Sequence, residues 1–415
     1  MNRASSSNRV RRLTDIEASM ASMHAILGGN TQVSTLVLLA GNLSLSAATI
    51  GFERLFSAHP LLRFAIHEYD GELGFVLHDD FSRIPVVEAP FDPSVPDRML
   101  LEREMAVPLD AGSALWRVTL LADPSHGATR IMFTRHHAIS DSFTTHWLIR
   151  EWLGHIASDI RRETVRAPRE LSMAADTPPA WPRTEIGHGP VPFFSDVPLA
   201  SRGTGVWHAA LAPAAFARLQ AFAARDGFTS NTLLANLLGD AFCEWAGVDE
   251  IPLFTAISTR ERDIPPARIA ETLGCRIVVA APILTPRSAP FAERCERYQR
   301  EIRAARRAAA TETDAPGRPH REIAEMITAL GRASSFCGIG LTNLGRLDEG
   351  SPELFDSVID LQTVVNRVGG NLALALHASE FRGRLRLVFT YPRPLVPDAL
   401  IAQTAATLVD KVEAL

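Results

Sequence analysis

The residues best suited to chemistry lie in one short segment, RIMFTRHHAISDSF, between Arg130 and Phe143. Two adjacent histidines, His136 and His137, follow an apolar run typical of a strand, and Asp141 comes four residues after the second, at the start of a helical pattern. Near neutral pH an imidazole is the side chain best suited to take a proton from a hydroxyl or an amine. The spacing therefore indicates His137 as a candidate general base, with Asp141 bracing the turn or pairing with an arginine.

Two other interpretations of the double histidine remain open in the sequence. The pair can be purely structural, and His136, His137 and Asp141 are all possible zinc ligands. Adjacent strand residues point to opposite faces, so both histidines would rarely reach one ion, and we expect no metal. The sequence also has no GxSxG motif that would mark a nucleophile. Acyl transfer at this site would then run directly from donor to acceptor, without a covalent enzyme intermediate.

Strands and helices are mixed in the part of the chain that leads to the histidines. WRVTLLAD and TRIMFTR predict two strands joined by a polar turn, and the second strand ends at the histidines. After Asp141 apolar residues recur at three- and four-residue steps, which predicts a helix. Thr14 and Glu17 have the spacing of a capping box that opens an earlier helix. Asp70-Gly71 predicts the turn of a β-hairpin.

A segment rich in Pro, Gly and Ser separates this part from a second set of elements. We interpret residues 1–170 as an N-terminal lobe that carries the histidines, 171–205 as a linker, and 206–415 as a C-terminal lobe. The second lobe also mixes strands, such as IPLFTAIST, with apolar helices, such as SNTLLANLLGDAFCEWAG. The sequence therefore predicts an α+β protein of two lobes.

Composition excludes several classes of function. A net charge of −5 over 415 residues leaves no basic footprint for nucleic acid. No apolar stretch approaches the roughly 18 residues that a membrane span needs. The N-terminus, MNRASSSNRVRR, has no following apolar region and is interpreted as a loose arm rather than a secretory signal. Four well-separated cysteines without metal-ligand spacing are typical of reduced thiols, so we expect a cytoplasmic protein.

HHAISD resembles the HHxxxDG signature of the acyltransferase superfamily that includes chloramphenicol acetyltransferase, nonribosomal peptide condensation domains and polyketide-associated acyltransferases. The segments around it are similar to the same family, in the family's order. FERLFSAHPLLRFAIHEYDG resembles the helix-to-strand segment near the start of condensation domains, and VPLDAGSALWRVTLLAD resembles the segment ahead of the histidines. AISTRERDIPPARIAETLGCRIVVAAPI and LTNLGRL resemble two later motifs. The resemblance spans residues 10 to 415.

The resemblance implies two chloramphenicol-acetyltransferase-like lobes in a V-shaped pseudo-dimer, with a tunnel at their junction and His137 midway along it. The donor would be an acyl thioester on coenzyme A or on the phosphopantetheine arm of an acyl or peptidyl carrier protein, with no bound cofactor. The acceptor would be a small molecule or a lipid. By the same resemblance His137 takes the proton of the acceptor, which then attacks the thioester.

Other site residues are carried over by matching the motifs. Arg260, or failing that Arg262, matches the arginine that pairs with Asp141 in the family, and His136 would turn away and hydrogen-bond to backbone. Three further residues would line the tunnel: Ser142, Thr342 and Asn343. The chain departs from the family pattern at Ser142, where the family has glycine, and in VVAAP, where the family has an asparagine.

Three functions stay open at this point. The first is ester formation in natural-product or lipid biosynthesis, which the freestanding chain and the missing asparagine favour. The second is amide formation by a standalone condensation enzyme. The third is a binding module that keeps the fold without catalysis, and its expected mark is loss of the second histidine or of the aspartate. Both residues are present here, which favours an enzyme.

Overall fold

The structure, a computed structural model, describes residues 9–123, 125–157, 191–209, 211–260, 266–311, 318–348 and 352–415. Most of the predicted linker and Arg262, the alternative partner of Asp141, lie outside the described residues. The described residues combine helices and sheets, which confirms the predicted α+β class. Every helix among them is too short or too polar to cross a bilayer.

The strands of the described chain follow the chain order β1 (Arg9–Arg12), β2 (Val33–Ala40), β3 (Phe64–Tyr69), β4 (Glu72–Leu77), β5 (Val86–Pro90), β6 (Trp116–Asp123), β7 (Ala128–Arg135), β8 (Gly203–Ala209), β9 (Ile251–Ser258), β10 (Ile277–Ala280), β11 (Ile283–Leu284), β12 (Gly338–Arg346), β13 (Val358–Val365), β14 (Leu372–Phe381) and β15 (Arg384–Arg393).

The helices are α1 (Asp15–Ile26), α2 (Leu45–Ala58), α3 (Asp97–Met105), α4 (Ser142–Ile156), α5 (Pro213–Asp226), α6 (Ser230–Ala246), α7 (Phe291–Thr311), α8 (His320–Gly331) and α9 (Asp398–Glu413). The capping box that opens α1 is confirmed: Thr14 accepts from the backbone N–H of Glu17, and the Glu17 carboxylate accepts from that of Thr14.

Two large sheets and one small one organise the molecule. The first has the order β13-β2-β7-β6-β5, and the second has β10-β9-β12-β14-β15-β8 with β11 added beside β9. The small sheet, β1-β4-β3, contains the predicted hairpin, whose turn residues Asp70 and Gly71 have φ of 51° and 78°. Positive φ at both central positions gives the hairpin turn that suits the twist of two paired strands.

One strand crosses between the two lobes expected from the sequence. Although β13 lies in the predicted C-terminal lobe, it pairs along its length with β2, from Val358 opposite Leu39 to Val365 opposite Val33. Its neighbours in the first sheet therefore come from the other end of the chain. The pairing also satisfies backbone hydrogen-bonding groups on the side of β2 that faces away from β7, which would otherwise be an unpaired sheet edge.

One local prediction differs from the structure. The end of the supposedly loose N-terminal arm, Arg9–Arg12, forms β1 on the edge of β4, and Arg11 makes an ion pair with Glu17 at 2.7 Å. GCRIVVAAPI, part of a segment that resembles the family, contains β10 and the first residue of β11, and both of these short strands pair with β9.

We call the described residues up to 157 the first half and those from 191 onward the second half. One apolar core contains the fully buried Trp116 and Trp152 of the first half and also takes in residues of the second half, such as Cys275. The other core, which includes Phe242 and Phe389, belongs to the second half. A smaller apolar cluster joins the first sheet to the second: Leu36, Leu101, Met105, Met132, Val206, Val364 and Val388. This cluster packs β2, β7 and β13 of the first sheet against β8 and β15 of the second.

Candidate active site

The double histidine lies where β7 leaves the first sheet. Arg135, the last residue of β7, pairs with Trp116 of β6, and the N–H of His136 donates to the carbonyl of Leu115 at 2.8 Å. His137 then begins a single 3-10 turn, His137–Ile139, just ahead of α4. The strand thus delivers His137 to a short, hydrogen-bonded turn rather than to a free loop.

His137 is half-buried and contacts the second half of the molecule. Its Nδ1 lies 3.7 Å from Sγ of Cys275, a buried residue between β9 and β10. The ring also hydrogen-bonds to the residue's own backbone, and Nδ1 is the ring nitrogen that can reach it. A proton held on Nδ1 leaves the lone pair on Nε2, which is the form needed to accept a proton from a substrate.

The environment of His137 keeps its imidazole neutral. Burial and, to a smaller extent, the positive charges of Arg367 and Arg135 together lower its pKa from 6.5 to about 4, against the opposing effects of its own backbone and of Asp141. At neutral pH the ring is therefore unprotonated and able to act as a base.

Asp141 connects the turn His137–Ile139 to the second half. Its carboxylate accepts from the Arg260 guanidinium at 2.5 and 3.2 Å, and their side chains are 3% and 5% exposed. It also accepts from the backbone N–H of Thr144 at 2.9 Å, as the N-cap of α4, and from that of Arg276 at 3.0 Å. With four donors around it, this carboxylate is fully occupied by structural bonds.

Arg260 completes the junction. Beyond Asp141 it donates to the carbonyls of Thr272 and Gly274 at 3.0 and 2.9 Å and to the Thr144 hydroxyl at 3.0 Å. Its guanidinium carbon also lies 4.7 Å from the centre of the Phe143 ring. The ion pair therefore holds the start of α4, the end of β9 and the segment that carries Cys275 in one arrangement.

His136 turns away from the junction, as expected from strand alternation. It is fully buried, its Nδ1 accepts from the N–H of Ala138 at 3.0 Å, and its ring lies 4.6 Å from that of His24 on α1. Burial lowers the pKa of His136 well below its usual value. Its hydrogen bond to Ala138 and its contact with His24 support the turn His137–Ile139 on the side away from the junction.

Arg135 is a fully buried arginine beneath the same turn. It donates to the Phe133 carbonyl at 2.9 Å and to three hydroxyls, those of Thr35, Ser140 and Thr145. No carboxylate among the described residues contacts it, and burial lowers its pKa to about 9. This arginine ties the turn to its strand and adds positive potential at the site.

The three residues expected to line a tunnel occupy different environments. Ser142 is the half-buried first residue of α4. Thr342 is half-buried on β12, where it lies opposite His377 of β14. Asn343 is exposed, and its side chain accepts from the N–H of Gly345 at 3.0 Å. No described contact joins Thr342 or Asn343 to His137.

Sequence reasoning missed three residues near His137. Cys275 and Arg367 act on its ring as described above, and His377 lies close enough for the charges of Arg367 and His137 to lower its pKa, which burial brings to about 3. The resemblance covers GCRIVVAAPI but does not single out the cysteine. Arg367 and His377 stand outside every motif, so only the sheet topology brings them to the site.

Within the described residues, no three His, Cys, Asp or Glu side chains are grouped as a metal site needs. Of the other two ligands considered for zinc, Asp141 is occupied by the bonds given above, whereas His136 has only its Nδ1 engaged and its Nε2 is buried without a hydrogen-bond partner.

Comparison with solved structures extends along the whole chain. The TRI3 trichothecene 15-O-acetyltransferase from Fusarium sporotrichioides has a TM-score of 0.67 and 14% identity, over 99% of this chain and 96% of that one. The first condensation domain of the calcium-dependent antibiotic synthetase, in complex with a substrate analogue, has a TM-score of 0.67 and 14% identity, over 97% and 96%. Polyketide synthase associated protein 5 from Mycobacterium tuberculosis has a TM-score of 0.62 and 13% identity, over 97% of each chain.

The chain has the fold of condensation domains and related acyltransferases. The resemblance found in the sequence is thereby confirmed at the level of the fold. No protein-family model matches the chain, and no curated protein matches it by sequence.

Within the condensation-domain fold, the change from glycine to Ser142 needs no special backbone. Ser142 follows the N-cap Asp141 as a helical residue, and it is not among the residues with positive φ. A side chain is therefore tolerated there without strain, and Ser142 adds a hydroxyl close to the turn His137–Ile139.

Proposed function

We propose that this protein is an acyltransferase that moves an acyl group from a thioester to a hydroxyl, forming an ester. The observation that carries the proposal is the state of His137: a neutral imidazole at the junction of the two halves, with Nδ1 engaged and Nε2 left to accept a proton. Full-length similarity to an O-acetyltransferase supports this reading of the histidine.

The proposed reaction needs one base and no enzyme nucleophile. Nε2 of His137 takes the proton of the acceptor hydroxyl while its oxygen attacks the thioester carbonyl, giving a tetrahedral intermediate. The intermediate collapses, the carbon–sulfur bond breaks, and the thiolate takes the proton back from His137. The products are an ester and a free thiol, so atoms and charge balance. Base catalysis of this kind contributes about 10²–10⁴-fold.

Asp141 and Arg260 act as positioning residues in this proposal. The hydrogen-bonding capacity of both side chains is used elsewhere. The Asp141 carboxylate has four donors, and the Arg260 guanidinium donates to backbone carbonyls and a hydroxyl as well as to Asp141. Their contribution is to hold the His137 turn against the Cys275 segment, since small displacements of a base from its substrate cost large factors in rate.

The donor in this proposal is coenzyme A or a carrier protein, each of which presents the acyl group on a phosphopantetheine thiol. The acceptor is a small molecule or a lipid with a hydroxyl. Two substrates then meet at His137 from opposite faces of the junction, through the tunnel expected from the resemblance.

Amide formation is the second candidate, favoured by the similarity to the first condensation domain of the calcium-dependent antibiotic synthetase. The same base would take a proton from an amine, and the same thiol would leave. Turnover with an alcohol acceptor would indicate ester formation, and turnover with an amine acceptor would indicate amide formation.

Release of free thiol tests the proposal. Acyl thioesters of different chain lengths, on coenzyme A and on carrier protein, are incubated with pooled alcohols or pooled amines. We expect release that needs both an acceptor and His137, and a loss to background in His137→Ala. His126→Ala, at an exposed histidine of the β6–β7 turn, is the matched control and keeps wild-type rates. Equal release by wild type and His137→Ala would contradict the assignment of the base.

A further inference from the structure

Arg367 comes just after the C-terminal end of β13, and the turn His137–Ile139 comes just after the C-terminal end of β7. Both lie at the same end of the first sheet's strands. Val33 of β2 pairs with Val365 on one side and with Arg135 on the other. Because β7 and β13 both run antiparallel to β2, their C-terminal ends lie on the same side of the sheet, beside the start of β2. His137 and Arg367 each come two residues after these paired positions, about two strand spacings or 10 Å apart along the sheet. An arginine side chain can cover much of that distance.

The backbone at Arg367 is held from several sides. Asn366 donates from its side chain to the carbonyls of Gly29 and Met105 at 2.9 and 3.0 Å, and its own N–H donates to Gln32 at 2.8 Å. The N–H of Arg367 donates to the hydroxyl of Thr204 at 2.8 Å. The backbone that carries the guanidinium is therefore held in place, which reduces the conformational entropy lost when Arg367 binds a ligand.

The side chain of Arg367 has no partner of its own. Among the described residues it makes no hydrogen bond or ion pair, and its buried Nε lacks an acceptor. This contrasts with Arg135, which has four acceptors, and with Arg260, which has Asp141. A half-buried guanidinium without an anion is costly, so such a group is expected to meet its acceptor when the site is filled.

The charges around Arg367 favour an anion at this position. The charge of Arg367 acts on His137 and His377, and Arg135 adds a second positive charge at His137. The carboxylate that acts on His137 is Asp141, and Arg260 already neutralises it. A negative group beside Arg367 would thus complete an otherwise positive site.

We propose that Arg367 binds a carboxylate carried by the acyl group or by the acceptor, close to the bond that is formed, and so selects anionic substrates. The phosphates of coenzyme A are excluded as its ligand, because the whole pantetheine arm separates them from the thioester. The inference rests on the proposed acyl transfer, since it takes His137 as the reacting centre. The inference also specifies a class of substrate, those with a carboxylate near the reacting bond, which the double histidine alone does not indicate.

Binding of matched probe pairs tests the inference without requiring turnover. Succinyl-coenzyme A is compared with butyryl-coenzyme A for the donor side, and 3-hydroxybutyrate with butane-1,3-diol for the acceptor side. Affinity is measured by calorimetry, and the His137 ring is followed by NMR of histidine-labelled protein. In wild type we expect the charged member of one pair to bind about tenfold or more tightly than its neutral partner, as a charge-assisted hydrogen bond predicts. We also expect it to raise the pKa of His137.

Variants of Arg367 separate anion binding from a general role in folding or transfer. Arg367→Gln should abolish the preference, Arg367→Lys should keep part of it, and Arg321→Gln, at an exposed arginine of α8, should leave it unchanged. Failure of wild type to prefer either charged probe would overturn the inference, as would an equal loss of charged and neutral probes in Arg367→Gln. A preference that depends on Arg367, without thiol release from any donor, would instead contradict the proposed acyl transfer.

Discussion

His137 differs from a typical surface histidine in its state at neutral pH. Burial and two arginines lower its pKa to about 4, and one ring nitrogen is engaged by its own backbone and by Cys275. The imidazole can accept a proton from a substrate only while it is neutral, so activity would be lost when the pH falls to the pKa of His137. The rate should therefore depend on pH in a way that reports this environment.

We predict that kcat/KM of wild type stays constant as the pH falls from 7 to about 5 and declines as it approaches 4. The sign follows from the lowered pKa of His137, because the neutral base is present above about 4 and lost below it. The measurement is the pH–rate profile of thiol release, with protein integrity followed at each pH. A decline centred near 6.5 would show that the His137 ring is solvated, contrary to the structure.

The buried pair of Asp141 and Arg260 connects two elements, the start of α4 and the end of β9. Removing one partner leaves the other charge buried, which typically costs about 3–5 kcal/mol of stability. We predict that Asp141→Asn and Arg260→Gln each lower the free energy of unfolding by a few kcal/mol and reduce kcat as the His137 turn loosens. Urea unfolding and kinetics of the two variants are the measurements.

The double variant Asp141→Asn/Arg260→Gln is the control for this prediction. Because it leaves no unpaired charge, its loss of stability should be clearly smaller than the sum of the two single losses. Additive losses would contradict a direct pair. A loss of rate in Asp141→Asn with unchanged stability would show that Asp141 acts in the chemistry rather than in the structure.

Local elements were predictable from the sequence where a short pattern determines them. The capping box at Thr14 and Glu17 and the turn at Asp70-Gly71 depend on neighbouring residues, and both occur as expected. The partner of Asp141 was found only through the resemblance, because Arg260 is 119 residues away. β13 could not be placed, because its pairing with β2 depends on contacts between distant parts of the chain.

The same limit explains why part of the candidate site was missed. Cys275, Arg367 and His377 carry no motif, and each lies far along the chain from His137. They reach the site because the segment between β9 and β10, the end of β13, and β14 all lie at the junction of the two sheets. Sequence spacing therefore predicts the base, and only the topology shows which charges surround it.

The whole molecule carries several buried histidines that are neutral when it is folded. Burial lowers the pKa of His137 and His146 to about 4 and that of His377 to about 3, whereas in the unfolded chain each returns to its ordinary value near 6.5. Between these limits the unfolded state binds more protons than the folded state. Stability should therefore fall as the pH is lowered from 6.5 towards 4.

We predict that the free energy of unfolding at pH 5 is several kcal/mol lower than at pH 7, with up to about 2 kcal/mol from each such histidine. His377→Gln provides the internal control: glutamine can still reach the Thr390 hydroxyl, which His377 Nε2 contacts at 3.1 Å, but it does not titrate. Urea unfolding at both pH values should show a smaller difference in the variant, by about one histidine's share. Equal stability of wild type at pH 5 and 7 would contradict the burial of these rings, since carboxylates with lowered pKa values destabilise the fold only at still lower pH.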